Sequence, residues 1–92
     1  MILLQKPIFG RIYKKLKSNQ LKFVNEVINT ILNNPLIRER KIGDLNGVRV
    51  YKFKTLDQLT LLAYDYDEDK KELTLLFLSS HENFYNQLKK MR

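Results

Sequence analysis

Within "IRERKIGDLNGVRVYKFK", residues 37 to 54, the apolar residues of this chain change their spacing, from a helical period to strict alternation. A fold that accepts this chain must therefore place helices first and strands after them. In the helical part, Pro7 suits the first turn of a helix in which Ile8, Ile12 and Leu16 recur at i, i+4 and i+8, widened by Phe9 and Tyr13. Leu21, Val24, Val27, Ile28, Ile31 and Leu32 mark one face of a second helix, with Ser18 or Asn19 as its cap. It stops at "NNP", where Pro35 disfavours helical geometry for Asn34. Beyond "DLNG", whose Asn-Gly pair tolerates positive φ, Val48 to Lys54, "LTLLAYDYD" and "ELTLLFL" alternate as strands, joined by "LDQ" and "DEDKK". Short polar connections between consecutive strands make an antiparallel meander. Ile2 to Leu4 can add an edge strand, and a short helix follows the last strand within "FLSSHENFYNQLKKMR". The expectation is a single α+β domain over 1–92, an N-terminal helical hairpin packed on a twisted antiparallel sheet with a short C-terminal helix.

A chain of 92 residues builds one hydrophobic core, and 43% hydrophobic residues with three glycines and two prolines make it globular rather than disordered. No cysteine is present, which excludes disulfide frameworks and thiolate metal sites and suits a reducing cytoplasm. After Met1 the apolar run is three residues long before Gln5 and Lys6, too short for a signal-peptide core or a membrane span, so the cytoplasm is the expected location. The formal net charge is +7, and residues 1–41 carry the whole excess, with nine Lys or Arg against two Glu, while residues 42–92 hold eight against eight. Such an asymmetry fits a polyanion, either nucleic acid or an acidic protein; the competing reading is a solubilising surface.

In the first meander strand Val48, Val50, Lys52 and Lys54 share one face, and Arg49, Tyr51 and Phe53 share the other. Tyr51 and Phe53 suit the helices better, which leaves Lys52 and Lys54 on an open face, unless they simply guard an edge strand. There is no glycine-rich phosphate loop, no carboxylate cluster at metal-ligand spacing and one histidine, so metal hydrolysis and nucleotide-dependent transfer lack their residues and no cofactor is implied. That histidine, His81, stands where the last strand gives way to a helix, and a helical segment would put Tyr85 on its face, one turn on. A basic surface with one histidine and several tyrosines suits RNA cleavage, because the substrate supplies its own nucleophile, the 2′-OH. The protein need only deprotonate it, stabilise charge on the phosphoryl oxygens and protonate the leaving 5′ oxygen. Histidine, with an unperturbed pKa of about 6.5, gives or takes a proton near neutrality. A helix cap for His81 and a core aromatic for Tyr85 are the structural alternatives.

Two helices followed by a three-stranded meander, carrying "GVRVYKFK", "LLAYDYD" and "LTLLFLSSHENFYNQLKK", resemble the RelE/ParE superfamily of bacterial type II toxins over nearly the whole chain. The resemblance is nearest to a ParE-like toxin branch with a "SHENFY" type of ending. It implies a small toxin neutralised by a cognate antitoxin, monomeric alone and hetero-oligomeric in the complex, which in RelE-type members cleaves messenger RNA on the ribosome without a metal. Lys52 and Lys54 fall where such members carry basic residues, and His81 and Tyr85 match a basic and an aromatic residue after the last strand. The resemblance thus makes His81 the general acid, Tyr85 a base-stacking or proton-transfer group, and Lys52 and Lys54 catalytic cations, while the basic surface offers Lys14, Lys15, Lys17 and Lys22 as RNA contacts, and Arg49 with them if its side chain reaches the open face, against the simple alternation. Where ribonuclease members commonly place a middle-strand arginine, this chain has Thr60, Leu61 and Leu62. That departure keeps open an alternative of the ParE type, a DNA gyrase inhibitor without nuclease activity, and beside it an RNA-binding module without catalysis.

Overall fold

The computed structural model describes residues 1–38, 47–55, 58–81 and 84–91. Along the chain the elements are β1 (Ile2–Gln5), α1 (Pro7–Lys14), α2 (Ser18–Asn33), β2 (Arg49–Thr55), β3 (Gln58–Asp67), β4 (Glu72–Ser80) and α3 (Phe84–Met91). The alternating segments form the expected meander: β2 and β3 pair antiparallel from Arg49↔Tyr64 to Thr55↔Gln58, and β3 and β4 from Thr60↔Ser80 to Asp67↔Glu72. β1 adds to the far edge of β4, from Ile2↔Glu72 to Gln5↔Leu75, so the sheet order is β1-β4-β3-β2. This pairing is parallel, and the sheet is mixed rather than wholly antiparallel. Parallel neighbours need a long crossover, and here the two helices, β2 and β3 all lie between the paired strands.

Local chemistry sets the element ends. Pro7 opens α1, and α2 runs to Asn33 with Asn34 as its C-cap, one residue before Pro35. The start of α2 differs from expectation, because Ser18 is already helical and Lys17 is the N-cap. The backbone N–H of Lys17 donates to Gln20 Oε1 at 3.2 Å, so the glutamine at the third helical position reaches back and satisfies the N–H of the capping residue. Of the "DLNG" turn, residues 44–46 lie outside the described part, but Gly47 has φ 88°, the positive value that favours glycine. At the β3–β4 turn, Asp67 Oδ1 accepts the backbone N–H of Asp69 at 3.0 Å and of Lys70 at 3.1 Å, a local hydrogen-bonded turn that "DEDKK" encodes.

The sheet buries apolar side chains on both faces. On one, Phe9 of α1 and Val24, Val27 and Ile31 of α2 pack against Leu62, Tyr64, Leu73, Leu75 and Leu78, with Tyr51 and Phe53 half-buried at the margin. Each fully buried side chain of this kind contributes about 1.5–3 kcal/mol. On the other, Val48, Val50, Leu61, Ala63, Leu76, Phe77 and Phe84 form a second cluster. A β-bulge adjusts β4 to this demand: Ala63 pairs with Phe77 and Tyr64 with Leu75, which leaves Leu76 as the extra residue. Phe84 opens α3 and meets Phe77 with ring centroids 5.7 Å apart. The face expected to lie open therefore carries an apolar cluster that includes Phe84 of α3, while Lys52 and Lys54 on β2 are exposed.

Candidate nucleic-acid interface

The cationic end of that face is built by strand register. Alternation along β2 turns Tyr51 and Phe53 toward the helix-side core and leaves Lys52 and Lys54 exposed on the opposite side. Lys52 pairs with Leu61, and Leu61 with Ser79. Lys54 pairs with Leu59, whose carbonyl accepts the backbone N–H of His81 at 2.9 Å, so this second row runs from β2 across β3 to the residue that follows β4. Neighbouring strands lie about 4.8 Å apart, which puts the backbones of Lys54 and His81 roughly 10 Å from each other. A lysine reaching inward and an imidazole on the far side can then bracket one phosphodiester. His81 is exposed.

His81 is not part of a helix. It forms a bend after β4, and its carbonyl accepts the N–H of Phe84 at 3.4 Å, anchoring the start of α3. The one-turn spacing between His81 and Tyr85 along a common helix therefore does not arise. Tyr85 is the second residue of α3, and its side chain lies outside the described residues.

Arg49 goes elsewhere. It is only 8% exposed and pairs with Tyr64 on strand β3, and its side chain joins the helix side of the sheet rather than the lysine side. Its Nη1 donates to the carbonyl of Arg38, while Nε has no partner among the described residues. Around it the Tyr64 hydroxyl donates to the carbonyl of Pro35 at 3.0 Å, and the Arg38 guanidinium lies 4.3 Å from the Tyr51 ring centroid, a cation–π contact. Burial raises the Tyr64 phenol above its ordinary 10.0, against the lowering effects of the Arg38 backbone and the Arg49 and Arg38 charges. Arg49 thus ties the segment after α2 to the sheet. Its position in the odd-numbered set with Tyr51 and Phe53 was the signal for this; the Arg38 contacts had none.

Leu61 is wholly buried in the cluster with Phe84, so the position where a middle-strand arginine was missing belongs to the core. Away from the sheet, Lys14 ends α1, Lys15 caps it, Lys17 caps α2 and Lys22 stands in its second turn, all four exposed. Three of them gather at the α1–α2 junction and extend the positive surface beyond the strands.

Residues 3–89 match the family model of the ParE-like toxin of type II bacterial toxin-antitoxin systems. No curated protein matches the chain. Among solved structures, the RelBE toxin-antitoxin complex of E. coli is 16% identical, with 88% of this chain and 96% of that chain covered and a TM-score of 0.72. An arginine double mutant of E. coli RelE in the free state is 16% identical over 98% of this chain and 95% of that one, with a TM-score of 0.75. The RelBE2 complex of Mycobacterium tuberculosis is 17% identical over 87% and 96% respectively, with a TM-score of 0.73. At such identities these likenesses concern the fold, whereas the family model spans almost every residue. The chain belongs to the ParE-like toxins of type II bacterial toxin-antitoxin systems.

Proposed function

We propose that this toxin is an endoribonuclease that cuts messenger RNA on the ribosome in the cytoplasm, stops translation, and is held inactive by a cognate antitoxin. The observation that supports the reading is the strand register that aligns the exposed residues Lys54 and His81 through Leu59, with Lys52 one row away on the same face. The 2′-oxygen attacks the adjacent phosphorus as its proton passes to a water molecule, and the bond from phosphorus to O5′ breaks. His81 gives its proton to O5′, and Lys52 and Lys54 stabilise the charge on the non-bridging oxygens. The products are a 2′,3′-cyclic phosphate and a 5′-hydroxyl, and the chemistry needs no metal. Tyr85 stacks on a base beside the scissile bond or assists proton transfer. Lys14, Lys15, Lys17 and Lys22 hold RNA phosphates. The antitoxin reading draws on relatives solved as toxin-antitoxin complexes, including an E. coli RelE mutant with a RelB peptide.

Leu61 favours a second reading, a gyrase inhibitor without nuclease activity, because the middle strand offers leucine in place of a phosphate-binding arginine. Induction in cells separates the two. The ribonuclease halts protein synthesis first and leaves transcripts with 5′-hydroxyl ends, with DNA damage secondary. Early DNA breaks with intact transcripts would establish the gyrase reading instead. Co-expression with the product of the adjacent reading frame should yield a stable complex, and failure to associate at micromolar concentration would count against a cognate pair.

A further inference from the structure

The pairing of β2 with β3 ends at Arg49↔Tyr64, whereas β3 continues to Asp67. Beyond Tyr64 the β3 backbone has β4 on one side, through Asp65↔Thr74, Tyr66↔Leu73 and Asp67↔Glu72, and no paired strand on the other among the described residues. A cavity of about 380 Å³ lies at this free edge, lined by Arg49, Asp65, Tyr66, Asp67, Glu68 and Asp69. Because it wraps an edge, it takes Arg49 and Tyr66 from the helix side of the sheet and Asp65 and Asp67 from the other.

The charge of this cavity runs against that of the molecule. In a chain of net charge +7, four of the ten carboxylates fall within residues 65–69, and Asp65, Asp67, Glu68 and Asp69 are all exposed. Arg49 is the exception in the lining. It is more than nine-tenths buried, with 8% exposed, it gives Nη1 to the Arg38 carbonyl, and its Nε has no partner among the described residues. Buried donors of this kind are as a rule matched by an acceptor. The cavity therefore combines an unmet donor in its wall with negative charge around it.

Those two demands narrow the ligand class. Four carboxylates around one guanidinium repel a polyanion, and among the described residues no group of three or more acidic or histidine side chains is placed to hold a metal ion. A polyamine brings positive charge but no acceptor. A peptide bearing lysine or arginine brings both, since its side chains meet the carboxylates and its main-chain carbonyls accept from Arg49. We infer that this cavity docks a basic segment of a partner protein, with Arg49 fixing the backbone of the segment and Asp65, Asp67, Glu68 and Asp69 holding its side chains. Docking is a property of the free toxin and does not depend on which target the toxin attacks.

The test is a titration of the isotope-labelled toxin, followed by NMR of its backbone amides and of the Arg49 Nε–H. The probes are acetyl-trilysine amide, spermidine, which carries the same charge without a carbonyl, and acetyl-triglutamine amide, which carries the carbonyls without the charge. The trilysine peptide should shift the amides of residues 65–69 and move the Arg49 Nε–H, and each of the other two should bind about tenfold more weakly. Asp65→Asn combined with Glu68→Gln removes two exposed charges. The double variant should keep its melting temperature and bind the trilysine peptide about fivefold more weakly at low salt, with the gap from wild type closing as salt rises. Spermidine binding as tightly as the peptide would reduce the site to an acidic surface and overturn the proposal. Peptide-induced shifts confined to other residues, or an Arg49 Nε–H that stays in place, would overturn it as well.

Discussion

Among the described residues, the His81 side chain is exposed and the hydrogen bonds that tie it to the fold are made by its backbone. His81→Ala should therefore leave the melting temperature unchanged and lower ribosome-programmed cleavage on the order of 10²-fold or more, the usual size of a general-acid contribution. A fully active, fully stable variant would remove the histidine from the mechanism. Tyr85→Phe should have little effect if the ring only stacks and a larger one if the hydroxyl moves a proton. Lys52→Ala and Lys54→Ala should weaken ribosome binding and cleavage, each lowering the slope of log affinity against log salt by about one, with the gap from wild type closing at high salt. The two lysines and the histidine were legible from alternation and from the strand end. The burial of Leu61 beneath Phe84 was not, because it depends on where α3 folds back across the sheet.

Among the elements, the segment after α2 is held by side chains from β2 and β3, and Tyr64 is its most informative member. Its folded-state phenol is raised above 10.0 by burial, so the folded protein keeps that proton more tightly than the unfolded chain does. The stability linked to this group is fully present below pH 10 and is lost as pH rises through the higher folded value. Tyr64→Phe should lose about 1 kcal/mol near neutrality with the hydrogen bond to Pro35 and should show a shallower decline in alkali than wild type. Urea unfolding at both ends of that range measures the difference. Helices and strands could be located from their apolar periods because each period reports a burial face directly. The Lys17 cap, the bulge at Leu76 and the parallel sense of β1 could not, since each is settled by a partner distant in sequence or by a reciprocal contact.

At the scale of the whole molecule, the charge asymmetry read from the sequence becomes a spatial one. The basic half supplies the α1–α2 junction, and the acidic turn residues Asp67, Glu68 and Asp69 sit at the β3–β4 connection. The layering of helices on one face was legible from Tyr51 and Phe53. The apolar cluster on the other was hidden, because α3 contributes to it through Phe84, the first residue of a short helix.

The parallel pairing of β1 with β4 also sets an order of events in folding. Ile2 and Glu72 are 70 positions apart (72 − 2), and closing so long a loop carries a length-dependent entropy of roughly 4 kcal/mol, whereas the meander closes through short turns. The meander can thus assemble before the first strand arrives, and β1 docks late. Ile2, Leu3 and Leu4 remain about half exposed once docked, at 52%, 45% and 44%, so little burial retains the strand afterwards. Amide hydrogen exchange should find the β1 positions the least protected in the sheet and β3 the most; equal protection across all four strands would mean that the sheet opens only as a unit. A newly made toxin accordingly passes through an interval in which the outer edge of β4 is bare, and any partner able to supply a strand there competes with the toxin's own first residues.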